Sequence, residues 1–279
     1  MLKVGIDPHS GFCGGVVRAI TTAEKCLEEG KRLYSLGEIV HNEEELGRLS
    51  KKGLVPVSSL EDIPAGSKVL IRAHGVPPSV YDEARSRGLD ILDCTCPVVL
   101  RIQKMIREAS GRILIFGKHG HPEVQGLVGQ TDRAVVFQNL DQLRELIPGL
   151  DRDESYEVFS QTTMSPVDYA LACGILKEAL PDITVHETIC SQVASRHREL
   201  SEFAKANDVV IFVSGIHSSN GRVLGEFCRS VNPRTYRVGG PDDLDPSWFK
   251  PGDKVGVSGA TSTPKWLLEQ VARATENLH

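Results

Sequence analysis

Short runs of apolar residues alternate along this chain with longer segments in which apolar positions recur every three or four residues. The short runs are almost continuously apolar, which predicts strands buried on both faces of a sheet. The longer segments, of which 97–110 and 262–278 are the clearest, predict amphipathic helices. The predicted strands are 2–7, 112–116, 208–214 and 253–258. In the segment 97–110 the residues predicted to form the buried face are Val98, Ile102, Met105, Ile106 and Ala109.

Strands that alternate with helices predict an α/β fold with mostly parallel sheets. Cys13, Cys96 and Cys190 are spaced at similar intervals, and each follows a predicted strand and precedes a predicted helix. This repetition predicts three similar α/β units. The predicted units are residues 14–96, 97–190 and 191–279, the last completed by the strand in 1–13.

The charge and apolar content limit the function classes that fit. The formal net charge is -5, which argues against a general nucleic-acid or anionic-membrane binder. No apolar run is long enough for a signal peptide or a membrane span, so we expect no membrane association. Seven cysteines, an odd number scattered through the chain, favour a reducing compartment over a disulfide framework. We therefore expect a cytoplasmic protein.

A cysteine at a strand-to-helix turn lies beside free backbone N–H groups and the positive end of the helix dipole, which favour the thiolate. Three such thiolates, from Cys13, Cys96 and Cys190, fit a cubane iron–sulfur cluster with one open iron. They fit a zinc site with one water equally well, and each cysteine alone also fits a buried reduced thiol. Cys94, two residues before Cys96, is an alternative ligand.

Other polar residues follow predicted strands in the same way. In parallel α/β sheets these turns share the carboxyl edge, where ligands bind. Histidine, serine and asparagine side chains near helix N-termini suit the oxygens of a phosphate group. Singly, Asn42, 218–220 and 262–264 also fit ordinary helix caps, so the shared edge carries the argument. The residues concerned are His41, His74, His121, Glu123, Thr162, Ser218, Ser219, Asn220 and Ser262.

Nine short motifs, in this order and spread over nearly the whole chain, resemble the LytB (IspH) family of 4-hydroxy-3-methylbut-2-enyl diphosphate reductases. They are GFCGGVVRAI (11–20), HN (41–42), RAHG (72–75), DCTCPVV (93–99), GHPEVQG (120–126), SQTTMS (160–165), TIC (188–190), SSNG (218–221) and GATSTPKWL (259–267). In the acidic segment EEELGRL (43–49), directly after HN, the chain differs from the pattern of this family.

The resemblance implies a trefoil of three α/β domains around a central [4Fe-4S] cluster with one iron not ligated by protein. Cys13, Cys96 and Cys190 would hold that cluster. Glu123, helped by Thr162, would handle protons near the substrate hydroxyl. The residues implied to hold the diphosphate are His41, His74, Ser218, Ser219, Asn220 and Ser262, with His121 and Thr162 alongside.

The implied activity is reductive removal of a hydroxyl group from an allylic diphosphate, which yields isopentenyl and dimethylallyl diphosphate. It ends the methylerythritol phosphate route to isoprenoids and needs an external one-electron donor of the ferredoxin or flavodoxin type. Three alternatives stay open. One is a trefoil iron–sulfur dehydratase without net reduction, of the quinolinate-synthase kind. The second is a non-enzymatic iron–sulfur sensor. The third is a zinc hydrolase, which the presence of iron and sulfide in the purified protein would exclude.

Overall fold

The computed structural model describes residues 2–30 and 32–278, except for the side chain of Ser219. The chain divides into two compact units, which are Met1–Pro56 with Ser195–His279, and Val57–Ala194. The boundaries of the three repeated units that the sequence suggests stay a prediction.

Strands and helices alternate along the described part of the chain. The strands are Lys3–Ile6 (β1), Leu33–Leu36 (β2), Leu54–Val57 (β3), Lys68–Ile71 (β4), Asp90–Asp93 (β5), Arg112–Phe116 (β6), Ala134–Phe137 (β7), Tyr156–Ser160 (β8), Ile183–Val185 (β9), Val209–Val213 (β10), Thr235–Val238 (β11) and Lys254–Gly259 (β12). The α-helices are Gly14–Glu28 (α1), Glu43–Lys51 (α2), Pro78–Ser86 (α3), Pro97–Glu108 (α4), Pro122–Val128 (α5), Leu140–Leu146 (α6), Pro166–Ala179 (α7), Ser191–Lys205 (α8), Ser219–Val231 (α9) and Lys265–Glu276 (α10).

The first unit contains a parallel sheet in the order β1-β12-β10-β11. All five residues of its inner strand β10 are buried, as its unbroken apolar run predicts. Val209, Ile211 and Val213 pack in one cluster with Leu268 of α10. The alternate residues of β10 pack on the opposite face with side chains of α8 and α9. Helices on both faces therefore leave the strand ends as the accessible part of this sheet.

The second unit contains a parallel sheet in the order β7-β6-β8-β9. Its strand β6 also divides its side chains between two cores. Leu114 and Phe116 pack in a cluster with residues of α6 and α7, and Ile113 and Ile115 pack in another with residues of α4 and α5. In the same unit β4 pairs in parallel with β5, with Lys68 opposite Asp90.

The described strands form three four-stranded sheets, and every pairing given above is parallel. The predicted α/β class with mostly parallel sheets is thus confirmed. The predicted strands and helices are present too, and their ends differ from the prediction by at most three residues. No helix among the described residues is both long and apolar enough to cross a bilayer.

One prediction about the buried face of α4 is wrong. Val98 was expected in the core, but its side chain is 40% exposed, and Val99 is buried in its place. Pro97 is the first residue of α4, so Val98 lies in the first helical turn. The buried face of α4 begins with Val99 and continues with Ile102.

Candidate active site

Each of the three candidate cysteine ligands directly precedes a helix. The carbonyl oxygens of Cys13, Cys96 and Cys190 accept the first hydrogen bonds of α1, α4 and α8, at 2.9, 2.9 and 3.0 Å. All three cysteines are half-buried, whereas Cys26, Cys94, Cys173 and Cys228 are buried. A half-buried sulfur remains accessible to a ligand, and the free N–H groups at a helix N-terminus suit an anionic group such as a metal–sulfur centre.

The three candidate cysteine ligands are divided between the two compact units. Cys13 belongs to the first unit, and Cys96 and Cys190 belong to the second. Among the described residues, no three His, Cys, Asp or Glu side chains are grouped closely enough to hold a metal ion. The cysteine ligand set therefore stays a prediction, supported by the local geometry of each cysteine.

In the second unit Glu123 lies in the first turn of α5 and is bonded to Thr162, which follows β8. The Thr162 backbone N–H donates to Glu123 Oε1 at 2.6 Å, and the Thr162 hydroxyl donates to Oε2 at 2.8 Å. The Glu123 side chain is buried, with 1% of its surface exposed. These two candidate residues, identified separately in the sequence, thus form one buried pair.

Burial raises the pKa of Glu123 to about 7, although the two hydrogen bonds from Thr162 act in the opposite direction. The cause is loss of hydration, since a charged carboxylate deep in the protein lacks the water that stabilises it. No basic partner contributes to this shift. A carboxyl group that gains and loses its proton near neutral pH is suited to general acid chemistry.

His121 and His74 lie beside this pair in the same unit. His121 is the N-cap of α5, and its Nδ1 accepts the Glu123 backbone N–H at 3.2 Å. The rings of His74 and His121 meet edge to face, with centroids 5.2 Å apart. The backbone also links Thr162 to Cys190, whose N–H donates to the Thr162 carbonyl oxygen at 3.0 Å. Five of the candidate residues are therefore connected within one unit.

Gly75, next to His74, explains why glycine ends the motif RAHG. Its φ is +70°, and a Cβ there would lie 2.7 Å from Gln103 Nε2. Gln103 of α4 is buried, and it also approaches Gly126 of α5, where a Cβ would lie 3.1 Å from the same nitrogen. Gln103 was not among the candidate residues; its signal in the sequence is a polar side chain at one of the buried positions of α4.

In the first unit hydroxyl and amide groups gather at the carboxyl ends of β10 and β12. Ser218 Oγ lies 3.2 Å from Ser262 Oγ, and the Asn220 amide donates to Thr261 Oγ1 at 2.9 Å. The Cys13 N–H donates to the Thr261 carbonyl oxygen at 3.3 Å. The predicted meeting of these turns at one sheet edge is thus observed for Ser218, Asn220 and Ser262.

Two of the three predicted helix caps are formed by side chains in the structure. Ser218 does cap α9, because its Oγ accepts the Gly221 N–H at 3.0 Å. Asn42 caps α2 by accepting the Glu45 N–H at 3.0 Å. The cap considered for 262–264 does fall within that run, at Pro264, but α10 starts at Lys265 without any side-chain cap hydrogen bond. The Ser262 hydroxyl therefore does not cap α10. The side chain of Ser219 lies outside the part of the chain that the structure describes.

His41 lies next to the acidic segment 43–49, and its Nδ1 is 3.1 Å from Glu38 Oε2. The Glu43 carboxylate accepts the backbone N–H groups of Ile216 and His217, both at 3.3 Å. The backbones also pack closely, because a Cβ on Gly215 would lie 2.7 Å from the His41 carbonyl oxygen. The turn that carries His41 is therefore fixed to the turn that precedes Ser218.

Glu45 fixes the start of α10, which follows the turn that carries Ser262. It is 1% exposed and accepts two hydrogen bonds from Arg48, at 2.6 and 2.9 Å. The Trp266 indole N–H, in the first turn of α10, donates to Glu45 Oε2 at 2.8 Å. The acidity of the segment 43–49 is evident in the sequence. Its structural role is not, because the groups that Glu43 and Glu45 hold near residues 216 and 266 are remote in sequence.

A buried ion pair fixes the loop between β1 and Cys13. Arg196 of α8 donates to Asp7 Oδ2 at 2.7 Å and to Ser258 Oγ at 2.7 Å. The Ser258 hydroxyl donates to the same Asp7 oxygen at 2.9 Å, and the His9 N–H donates to Asp7 Oδ1 at 2.9 Å. Because the ion pair is almost fully buried, it holds the start of the Cys13 loop against β12.

Comparison with known proteins identifies the family. The model of the family described as LytB protein matches residues 4–276 of this chain. This chain belongs to the LytB family. The resemblance found in the nine motifs is thereby confirmed.

Curated LytB relatives are similar over nearly their whole length. A protein of Bacteroides fragilis named 4-hydroxy-3-methylbut-2-enyl diphosphate reductase is 45% identical, over 98% of this chain and 97% of the relative. A protein of Chlorobaculum parvum with the same name is 39% identical, over 97% and 95%.

Two solved LytB-type structures share the fold. The E-1-hydroxy-2-methyl-but-2-enyl-4-diphosphate reductase of Plasmodium falciparum superposes with a TM-score of 0.88 at 28% identity. The match covers 99% of this chain and 88% of that one. A second reductase, titled the terminal enzyme of the non-mevalonate pathway, has a TM-score of 0.77 at 31% identity, with 99% of both chains covered.

Proposed function

We propose that this chain reduces (E)-4-hydroxy-3-methylbut-2-enyl diphosphate to isopentenyl and dimethylallyl diphosphate. The relatives that bear this activity in their names match nearly the whole chain. The observation that carries the proposal is the buried Glu123–Thr162 pair. It provides a carboxyl group that can carry a proton at neutral pH, which removal of a hydroxyl group requires.

The overall reaction breaks the C4–O bond, consumes two electrons and two protons, and releases water. Hydroxide is a poor leaving group, so the departing oxygen must be protonated. Glu123 with its pKa near 7 can hold that proton. In our proposal the protonated Glu123 donates from Oε2 to the Thr162 oxygen 2.8 Å away, which reverses the hydrogen bond that the Thr162 hydroxyl donates to the carboxylate. The Thr162 hydroxyl turns to the substrate and delivers its own proton toward the substrate hydroxyl. His121 fixes the backbone of Glu123 during this transfer.

Cys13, Cys96 and Cys190 would hold an iron–sulfur cluster, proposed as [4Fe-4S] with one iron not ligated by protein. Their donor set fits this group, since each is a half-buried thiol at the N-terminus of a helix of 12 to 15 residues. When bound, such a cluster supplies electrons singly and a Lewis-acidic iron. The electrons would come from an external ferredoxin- or flavodoxin-type donor.

The remaining candidates would bind the diphosphate. Ser218, Asn220 and Ser262 offer neutral donors at one sheet edge, and His41, His74 and Ser219 would complete the set. Neutral donors suit an anion that must enter and leave, because a buried lysine would need its own paired charge. The diphosphate is remote from the breaking bond, so its binding energy would serve to orient the substrate.

The test is an anaerobic assay with this substrate and a reduced viologen dye. Dye oxidation and five-carbon products are followed together, and iron and sulfide are counted on the same sample. We expect two electrons consumed per product and a cluster that is lost in Cys13→Ser. Cys26→Ser is the matched control, because Cys26 is a buried thiol within α1, the helix that directly follows Cys13. A full cluster without substrate reduction would contradict the proposal.

A further inference from the structure

The helix α4, which begins directly after Cys96, presents an exposed face that is both apolar and basic. Val98 and Leu100 are 40% and 39% exposed, which is high for large apolar side chains. Three basic residues and one acidic residue are exposed on the same helix, so its net charge is positive. They are Arg101, Lys104, Arg107 and Glu108. This local charge is opposite in sign to the net charge of the chain, which is -5.

The other two helices that begin after a candidate ligand do not share this charge. In α1 the basic residues Arg18 and Lys25 are balanced by Glu24 and Glu28. Val17 is exposed there as well, at 46%, but the helix itself carries no net charge. The apolar contact surface is therefore common to α1 and α4, whereas the positive charge distinguishes α4.

Helix α8 is balanced too. Its exposed basic residues, Arg198 and Lys205, are matched by Glu199 and Glu202. Arg196, a further basic residue of α8, is buried against Asp7 and adds nothing to the surface. Of the three helices, only α4 combines proximity to a candidate ligand, exposed apolar side chains and an excess of positive charge.

We propose that the exposed face of α4 is the docking surface for an acidic one-electron carrier protein. This inference rests on the proposed function, in which two reduced carriers each lose one electron per turnover. Those two electrons, with two protons, convert the C4–O bond of the substrate into a C–H bond and water. A protein donor reaches only the surface, and electron transfer slows steeply with distance, so docking beside a cluster ligand is favoured.

The chemistry of the face fits such a partner. Weak redox complexes use small interfaces, and a few apolar contacts with a rim of charges are sufficient. Complementary charge accelerates encounter and makes it dependent on salt. The one ion pair within the face, Lys104 with Glu108, is loose at 3.8 Å, and both side chains are 66% exposed. Such a surface pair is weak, so Lys104 can turn to a carboxylate of the partner.

The experiment compares two donors in the holoenzyme, reduced flavodoxin as the acidic carrier and a reduced viologen dye. The test variant is Arg101→Glu with Lys104→Glu. The control is Arg198→Glu with Lys205→Glu on α8, which changes the net charge by the same amount on two exposed residues. We expect the test variant to need about tenfold more flavodoxin for half-maximal rate at low salt. The control should stay within about twofold of wild type, and the dye-driven rate should be unchanged in both.

The outcomes separate this inference from the proposed function. If the wild-type protein fails to reduce the substrate with the dye, the proposed function fails. If dye-driven reduction is normal but both double variants weaken flavodoxin equally, or neither does, the α4 surface is wrong. A second measurement is carbodiimide cross-linking of flavodoxin to the wild-type protein. It should join a flavodoxin carboxylate to Lys104, and cross-links confined to lysines outside α4 would overturn the proposal.

Discussion

The two units carry candidate groups of opposite character. In the second unit Glu123 and Thr162 form a buried pair with short hydrogen bonds. In the first unit Ser218 is hydrogen-bonded to Ser262, and Asn220 is hydrogen-bonded to Thr261, so that neutral groups gather at a sheet edge. Burial shifts the pKa of Glu123 toward 7, and nothing comparable acts on hydroxyl and amide groups. One unit is therefore built to change a protonation state, and the other to present donors.

The contacts that position Glu123 also differ from those that position the neutral donors of the first unit. The environment of Glu123 depends on the removal of water, and no basic residue compensates it. The turns of the first unit are instead held from outside by carboxylates, Glu43 on the backbone of Ile216 and His217, and Glu45 on Trp266. A buried acid is thus the proposed reactive group in the second unit, whereas acids of the first unit stabilise its turns. Substitutions should separate these roles.

The largest effect is expected for Glu123→Gln. This variant keeps the size and the hydrogen-bonding oxygen of the side chain but cannot release a proton. Loss of general acid catalysis predicts turnover lower by roughly two to four orders of magnitude, with little change in KM. Steady-state assays with the reduced dye measure this, on samples matched for iron and sulfide. Turnover close to wild type would refute the proton-transfer role of Glu123.

Thr162 offers a matched pair of variants for the same relay. Thr162→Ser keeps the hydroxyl that bonds Glu123 Oε2, whereas Thr162→Val keeps the shape and removes it. We expect Thr162→Ser to retain most of the turnover and Thr162→Val to lose at least about tenfold. Equal turnover in the two variants would mean that the hydroxyl carries no proton.

The second prediction concerns stability and uses the raised pKa of Glu123. A raised pKa means that the folded state binds the proton more tightly, so this contribution to stability is full below the unfolded value of 4.5. It is lost as pH rises through about 7. Above that pH the buried charge costs on the order of 3 kcal/mol. Glu123→Gln should therefore unfold at higher denaturant concentration than wild type at about pH 8, and similarly near pH 4 to 5.

That comparison has its own control. Glu44→Gln removes an exposed carboxylate from the acidic segment of the first unit, and it should leave the free energy of unfolding within about 0.5 kcal/mol at either pH. If Glu123→Gln were no more stable than wild type in alkali, the carboxylate would have to be ionised and stabilised in the folded protein.

The third prediction concerns the structural acids. Glu45→Ala removes the acceptor shared by Arg48 and Trp266, which should destabilise the protein by roughly 1–3 kcal/mol. The expected loss of unfolding free energy is smaller than for a fully buried ion pair, because the Arg48 side chain is 30% exposed. Tryptophan fluorescence during urea unfolding measures the change. Glu44→Ala, one residue away and exposed, is the control and should shift the midpoint little.

The smallest effect is expected at the neutral donors. Ser262→Ala removes one hydroxyl without removing a helix cap, since Pro264 has that position. Loss of one neutral hydrogen bond predicts a KM increase of roughly three- to tenfold with turnover nearly unchanged. Ser230→Ala on α9 is the control, because its hydroxyl only bonds the Phe227 carbonyl oxygen. A fall in turnover with unchanged KM would assign Ser262 to the chemical step instead.

Much of the fold could be predicted because its signals are local. The apolar runs at 112–116 and 208–214 specify doubly buried strands, and Pro97 marks the start of α4. The placement of the cysteines directly before helices follows from the same local pattern. Val98 was misjudged because periodicity alone does not say which side of a first helical turn meets the sheet.

The remote contacts could not be predicted in the same way. The bonds of Glu45 to Trp266 and of Arg196 to Asp7 join residues far apart in sequence. No local pattern records them. The pairing of Glu123 with Thr162 was implied only by family resemblance, and its burial, which sets the pKa, depends on packing that a single sequence does not reveal.

The pH dependence of turnover tests the central claim, that Glu123 is the proton donor, most directly. Wild-type turnover, measured with substrate in excess between about pH 5 and pH 9, should fall as pH rises through about 7. The residual turnover of Glu123→Gln should show no such fall. If both proteins lost activity with the same apparent pKa, the titrating group would be another residue and the assignment of Glu123 would be wrong.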